Sequence, residues 1–128
     1  MEANLSKAAM EIILRMQQSE RTESVIYEKI ASFAKGEENQ KTLRQIAREE
    51  NAHYLIWKKY TDREMKPEKG KVFLYTLLAR ILGFTFAVKK MERGEQNAQE
   101  EYELLAQEVE EIIVICQQEE AHEKALLE

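Results

Sequence analysis

Apolar side chains recur at helical spacing along most of this chain. The first stretch runs from about Asn4 to Ala34 and stops at Lys35-Gly36, and a second runs from about Glu38 to Thr61. Residues three and four apart lie on one face of a helix, so each stretch predicts an amphipathic helix with a buried face. The segment from Asp62 to Gly70 holds the only proline of the chain and is predicted to be a loop.

The third helical stretch, from Lys71 to about Leu105, is long for a single helix of so small a protein. Such a helix would span about 52 Å, and Gly83 and Gly94 both weaken it. We therefore predict a bend or break, with Val72 to Leu82 forming a separate crossover or docking segment. The last helix is predicted to run from about Glu108 to Leu127.

The strip from Val72 to Val88 is strongly apolar and carries Arg80 at its middle. A transmembrane helix needs about 20 apolar residues, and a central arginine is costly in the bilayer. Because the strip is also too apolar to leave in water, it favours a buried crossover or a dimer surface over a membrane span. We therefore expect a homodimer.

Composition narrows the class of protein. The 128 residues fit one domain, residues 1–128, and they include four glycines and one proline. A chain so rich in helix formers predicts an all-α bundle. The net charge of −5 argues against a nucleic-acid partner, which needs a basic surface. The lone Cys116 excludes an internal disulfide or a four-cysteine site, and a cytoplasmic location is the simplest expectation.

Candidate chemistry comes from the only two histidines. Each follows a glutamate by three residues, in Glu50-Asn51-Ala52-His53 and in Glu119-Glu120-Ala121-His122. At this spacing the carboxylate and the imidazole lie one helical turn apart and can hold one metal ion together. A Glu-x-x-His motif from each of two helices, with one Glu from each of two others, is the ligand set of ferritin-like di-iron and di-manganese bundles. A single such motif is also an ordinary surface pair.

A second repeat supports the pair of motifs. Glu20 precedes Tyr27 by two helical turns in the first helix, and Glu95 precedes Tyr102 by the same interval in the third. Each half of the chain therefore has a Glu, a Tyr and then Glu-x-x-His, a weak internal duplication of a helical hairpin. Two such hairpins packed face to face would direct their ligands to one central point.

These patterns predict a site for two iron ions, with manganese as an alternative, because such ions need several anionic oxygens in a protein core. We assign Glu50 and Glu119 as bridging ligands and Glu20 and Glu95 as terminal carboxylates. The terminal nitrogen ligands are His53 and His122.

Further residues near these positions have two interpretations each. Tyr27 and Tyr102 are the candidate catalytic residues, as hydroxyls that bond a ligating glutamate, or they are core aromatics. Glu23 and Glu92 are possible additional ligands or solvated residues. Trp57, one turn after His53, is predicted to pack in the core.

At these motifs the sequence resembles rubrerythrin-like members of the ferritin-like superfamily. It is most similar to the ferritin-like domains fused to vacuolar-iron-transporter-type membrane domains. The stretches that carry the resemblance are Gln18–Glu23 with Ile26-Tyr27, Glu49–His53, Leu78–Thr85, Met91–Glu95 and Glu119–Glu123.

The resemblance implies a ferritin-like four-helix bundle with a long crossover between helices 2 and 3 and a carboxylate-bridged di-iron centre. It also implies reaction with O2 or H2O2, as a ferroxidase or as a peroxidase. The chain lacks rubredoxin cysteines, so a peroxidase would need an external electron donor. Ala98 stands where rubrerythrins carry an extra carboxylate, and Glu23 is its first-helix counterpart. A transporter partner or fused membrane domain would lie outside these residues.

Two other classes of function stay open on sequence grounds. The protein could be a non-catalytic metal-binding sensor or docking module, which would bind metal without consuming oxidant. It could also be a helical interaction module without metal, in which the apolar strip is the working surface. The second alternative predicts that metal leaves the folding stability unchanged, since a ligand that binds only the native state must stabilise it.

Overall fold

The computed structural model describes residues 6–93, 118, 121 and 122. Three helices cover most of this part: α1 (Lys7–Phe33), α2 (Glu37–Thr61) and α3 (Lys69–Leu82). A fourth helical segment, α4, includes residues 84–93. Every regular element in the described residues is helical, which confirms the all-α prediction.

The ends of α1 follow from local chemistry. The predicted start at Asn4 lies outside the described residues, and the helix begins at Lys7 after the N-cap Ser6, whose hydroxyl accepts a hydrogen bond from the Ala9 amide at 3.1 Å. Such a cap satisfies one of the otherwise unpaired amides of the first turn. At the other end Ala34 is extended, and Gly36 adopts a φ of 93° just before α2. The predicted stop at Lys35-Gly36 is confirmed.

Helices α1 and α2 pack antiparallel. The Thr61 hydroxyl donates to Gln17 Oε1 at 2.7 Å, and Arg44 Nε lies 3.9 Å from Glu28 Oε1. The residue numbers of α1 therefore increase in the direction in which those of α2 decrease. The middle of α1 lies opposite the middle of α2, where the two helices carry their predicted ligands.

All four helical segments contribute to one apolar core. Its α1 and α2 members include Ile30 and Leu43, neither of which is exposed to solvent, and α3 adds Val72 and Ala79. Segment α4 packs on the same core through Ala87, Val88 and Met91. Because each segment contributes buried residues to this shared core, the architecture is a helical bundle.

The connection from α2 to α3 is anchored on α1. It was predicted to span Asp62 to Gly70, but α3 already begins at Lys69. The Gln17 side chain donates to the Arg63 carbonyl at 2.6 Å, and the Thr22 hydroxyl accepts from the Glu68 amide at 3.1 Å. These bonds hold the loop alongside α1 and allow the helix to start two residues earlier than predicted.

The predicted break in the third stretch lies at Gly83, where α3 ends and α4 follows. Gly83 has φ 94° and ψ 154°, a conformation that only glycine adopts without strain. The segment from Val72 to Leu82 is therefore separate from the helix that follows, as predicted. Among the residues that the structure describes, no helix has the length and apolarity required to cross a membrane.

Gly70 in α3 and Gly83 directly after it provide a stability test, in which the two alanine substitutions have opposite expected effects on the free energy of unfolding. Gly83→Ala should lower the free energy of unfolding by about 1–3 kcal/mol, because alanine is strained at this φ and ψ. Gly70→Ala should raise it by up to about 1 kcal/mol, because Gly70 is helical. A new Cβ would meet no atom within 4 Å at either position, so the backbone decides both effects. Urea unfolding of the two variants measures them, and equal shifts would contradict the backbone argument.

Candidate metal centre

Three of the predicted ligands converge in the middle of the α1–α2 pair. Glu20 comes from α1, and Glu50 and His53 come from adjacent turns of α2. Glu20 is 4 % exposed, and Glu50 and His53 are each 1 % exposed. Carboxylates are rarely buried so deeply unless a partner or a metal ion compensates for their lost hydration.

The distances within this group suit a bound cation. His53 Nδ1 lies 2.9 Å from Glu20 Oε2 and 3.2 Å from Glu50 Oε1. One ligand atom of each residue lies within 4.8 Å of the other two. Ligands at about 2.1 Å from a metal and at right angles to each other are about 3.0 Å apart, so these side chains could hold one ion with little movement.

His122, the histidine of the second motif, lies at the same place. Its Nδ1 lies 4.0 Å from Glu50 Oε1, and its ring stacks on that of His53 with centroids 6.3 Å apart and planes 18° from parallel. The Glu50 carboxylate thus lies within reach of both imidazoles. This is the position that its predicted bridging role requires.

The outer nitrogen of each imidazole contacts a hydrogen-bond acceptor. His53 Nε2 is hydrogen-bonded to Gln118 Oε1, and His122 Nε2 to Glu49 Oε1. An amide oxygen and an ionised carboxylate can only accept, so both Nε2 atoms must donate. Metal binding requires the neutral ring, whose lone pair would then lie on Nδ1, the atom that faces Glu50 in both rings.

His122 Nδ1 has a further property of a ligand atom. It is buried and has no hydrogen-bond partner among the described residues. A buried polar atom without a partner costs about 1–3 kcal/mol, so native proteins retain such atoms where function requires them. A metal ion placed between this nitrogen and Glu50 would remove that cost.

Glu49 is held in its ionised form. Partial burial raises the pKa of this carboxyl, but hydrogen bonds from Gln45 and His122 and the positive charge of the two histidines lower it by more. The net pKa is therefore below its ordinary value. Gln45 Nε2 donates to Glu49 Oε2 at 2.7 Å, which leaves Oε1 for His122.

Apolar residues flank the polar group along the helix axes. On the side toward the start of α1 lie Ile13 of α1 and Trp57 of α2, and neither is exposed. The predicted core position of Trp57 is confirmed. Because the ligands themselves are buried, charges among them interact more strongly than at the surface.

Tyr27 and the two possible extra ligands are also buried. Tyr27 is 2 % exposed and belongs to the apolar core, as its interpretation as a core aromatic requires. Its interpretation as a hydroxyl that bonds a ligating glutamate stays a prediction. Glu23 and Glu92 are 9 % and 5 % exposed, so neither is the solvated residue that the simpler interpretation implied. Their role as ligands also stays a prediction.

The second half of the predicted ligand set is only partly visible. His122 is placed, whereas Glu95, Glu119 and Tyr102 lie outside the described residues. The structure therefore brings together Glu20, Glu50 and both histidines out of the six predicted ligands.

Two residues of the site were missed by sequence reasoning. Glu49 and Gln118 bond the outer nitrogens of the histidines, but their residue types are common on solvated helix faces. One signal was available, because each directly precedes the glutamate of its Glu-x-x-His motif. Each therefore lies four residues before a histidine, on the same helix face.

Comparison of the chain with protein-family models, with curated proteins and with solved structures gives no match. The resemblance to the ferritin-like superfamily therefore stays a prediction.

Proposed function

We propose that this protein is a di-metal carboxylate protein of the ferritin-like, rubrerythrin-like class, which binds two Fe(II) ions and uses them to reduce O2 or H2O2. The observation that carries the proposal is the orientation of the two histidines. Both Nε2 atoms donate outward to fixed acceptors, and both Nδ1 atoms face the buried Glu50 carboxylate. Metal-binding histidines in proteins are held in this way, with the second ring nitrogen donating to an outer acceptor.

The two ions would have separate but adjoining ligands. Glu20 and His53 would hold the first ion, and His122 would hold the second, with Glu50 shared between them. Glu95 and Glu119 would supply the remaining carboxylates, as the duplicated sequence pattern predicts. A donor set of carboxylates with one imidazole per ion suits iron or manganese better than copper, which favours softer or nitrogen-rich sites.

When bound, a pair of Fe(II) ions supplies two electrons to O2 or H2O2. The chain's own residues would provide the environment for that reaction. The carboxylates of Glu20 and Glu50 would offset the positive charge, and the flanking apolar residues would exclude bulk water. Gln118 and Glu49 would retain the Nε2 protons of the histidines and keep both Nδ1 atoms available.

Ferroxidase and peroxidase activities both fit this proposal. The buried Glu23 lies one turn after Glu20 and supports an additional carboxylate on the α1 side of the centre. A peroxidase would need an external electron donor, and a ferroxidase would pass its iron to a store or to a transporter partner. We propose a cytoplasmic setting and the long crossover between helices 2 and 3, formed by α3, as parts of the same interpretation.

An anaerobic Fe(II) titration tests the proposal. We expect two irons per chain, followed by near-ultraviolet ferric absorption when O2 or H2O2 is added. In stopped-flow measurements, a peroxide rate at least tenfold above the O2 rate would favour the peroxidase. No tightly bound Fe(II) or Mn(II) would overturn the proposal and favour the interaction module without metal. Two bound metals without repeated oxidant consumption would favour the sensor or docking module.

We also propose that the apolar face of α3 binds a second copy of this chain. Phe73 is 70 % exposed, Leu77 40 % and Ile81 67 %, and these residues, spaced four apart, lie on one face of the helix. The guanidinium of Arg80 stacks over Phe33 at 4.3 Å, so this cation is occupied within its own chain. A helix face so apolar can be covered by the same face of a second copy about a twofold axis.

Ile81→Glu should convert the dimer to a monomer, because the new charge would be buried in the interface. Multi-angle light scattering measures the change, with the wild type at twice the 15.1 kDa chain mass. Lys71→Gln is a matched control, since Lys71 is an exposed polar residue of the same helix and the substitution also changes the charge by one unit. A monomeric wild type at high concentration would exclude the dimer.

A further inference from the structure

The outer partners of the two histidines are exchanged between the motifs. Glu49 belongs to the first motif and accepts from His122 of the second, whereas Gln118 belongs to the second and accepts from His53 of the first. Each partner directly precedes the Glu of its own motif and lies four residues before its own histidine. Each motif therefore supplies, from the equivalent position, the hydrogen-bond acceptor for the histidine of the other motif.

The two acceptor residues, Glu49 and Gln118, differ in charge, although they hold equivalent positions in their motifs. Glu49 offers an ionised carboxylate, and Gln118 offers a neutral amide oxygen. A hydrogen bond to an ionised acceptor is roughly twice as strong as a neutral one. A carboxylate acceptor also increases the electron density on the imidazole and makes it a stronger metal ligand.

We propose that Glu49 and Gln118 are positioning residues that make the two metal positions unequal, with the position at His122 binding its ion more tightly than the position at His53. This inference rests on the proposed di-metal function. It adds an order of loading, in which the first ion occupies the His122 position and the second completes the pair at His53. It also predicts that the difference in metal affinity depends on the charge of the Glu49 carboxylate. A single substitution can remove this charge at Glu49 or introduce an equivalent one at Gln118.

Single-histidine variants separate the two positions and remove the repulsion between two bound ions. His53→Ala leaves the metal position at His122, whose hydrogen-bond acceptor is Glu49. His122→Ala leaves the metal position at His53, whose hydrogen-bond acceptor is Gln118. Each is titrated with Mn(II) under nitrogen, and the electron paramagnetic resonance signal of the free ion gives the dissociation constant. We expect tighter binding in His53→Ala.

Isosteric exchanges then test the cause. Glu49→Gln should weaken Mn(II) binding about tenfold in the His53→Ala protein and leave it unchanged in the His122→Ala protein. Gln118→Glu should strengthen binding in the His122→Ala protein and leave the His53→Ala protein unchanged. A residue with a merely structural role would not produce this gain.

The results of these titrations distinguish failure of the unequal metal positions from failure of the proposed di-metal function. Equal effects of Glu49→Gln in both single-histidine proteins, or no gain from Gln118→Glu, would overturn the unequal positions while the wild type still bound two ions. A wild type that bound fewer than two ions would overturn the di-metal function itself. Thermal unfolding of each metal-free variant verifies that the substitutions leave the fold intact.

Discussion

Replacing Glu50 by alanine should abolish paired-metal binding. The Glu50 carboxylate is 1 % exposed and lies 3.2 Å from Nδ1 of His53 and 4.0 Å from Nδ1 of His122. Its loss would remove an oxygen ligand from both positions at once. The expected effect exceeds the roughly 10–100-fold loss of affinity that follows removal of an outer hydrogen-bond partner. Isothermal titration with Mn(II), with Fe(II) under nitrogen as the second ion, measures stoichiometry and affinity.

The same substitution should affect metal binding without affecting the stability of the metal-free protein. Glu50 and Glu20 have carboxylate oxygens within 4.8 Å of each other, so their charges repel in the metal-free protein. We therefore expect Glu50→Ala to retain the metal-free unfolding free energy, even though it removes a buried side chain. Glu50→Gln, which preserves the shape, should lose metal in the same way.

Glu38→Ala is the matched control, because Glu38 is an exposed glutamate of the same helix. It should bind two ions like the wild type. If Glu50→Ala still bound two ions with wild-type affinity, its assignment as the shared ligand would be wrong.

Removing metal should lower the thermal stability of the protein substantially. A ligand that binds only the native state at a free concentration a thousandfold above its dissociation constant stabilises by about 4 kcal/mol. For a chain of 128 residues, each kcal/mol shifts the unfolding midpoint by about 4 °C. Saturating Mn(II) should therefore raise the midpoint by about 15 °C relative to protein in EDTA, as measured by circular dichroism.

Comparison with Glu50→Ala makes this measurement specific. The variant should unfold at the same temperature with and without Mn(II), since it lacks the paired site. A shift of equal size in the variant would indicate that the metal stabilises the protein elsewhere. No shift in the wild type would favour the helical interaction module, which predicts stability that is independent of metal.

Much of the helical architecture could be predicted from the apolar pattern. The boundary between α1 and α2 lies at Lys35-Gly36, as the sequence predicts, because glycine acts locally there. The start of α1 is set by the Ser6 cap, which the apolar pattern did not identify. Gly83 was also visible as a weak point, and its positive φ explains why the helix breaks there. The start of α3 was placed two residues late, because the bonds that anchor its loop come from Gln17 and Thr22, distant in the chain.

The sequence by itself determined the candidate ligands, since the spacing of Glu50 and His53 is a property of any α-helix. Only the tertiary structure decided that Glu20 meets them and that His122 stacks on His53, because contacts between separate parts of the chain create this arrangement. It also decided the exchange of partners, with Glu49 on His122 and Gln118 on His53. The physical reason is that a helix repeat specifies which residues share a face, whereas hydrogen bonds between faces depend on how the helices pack.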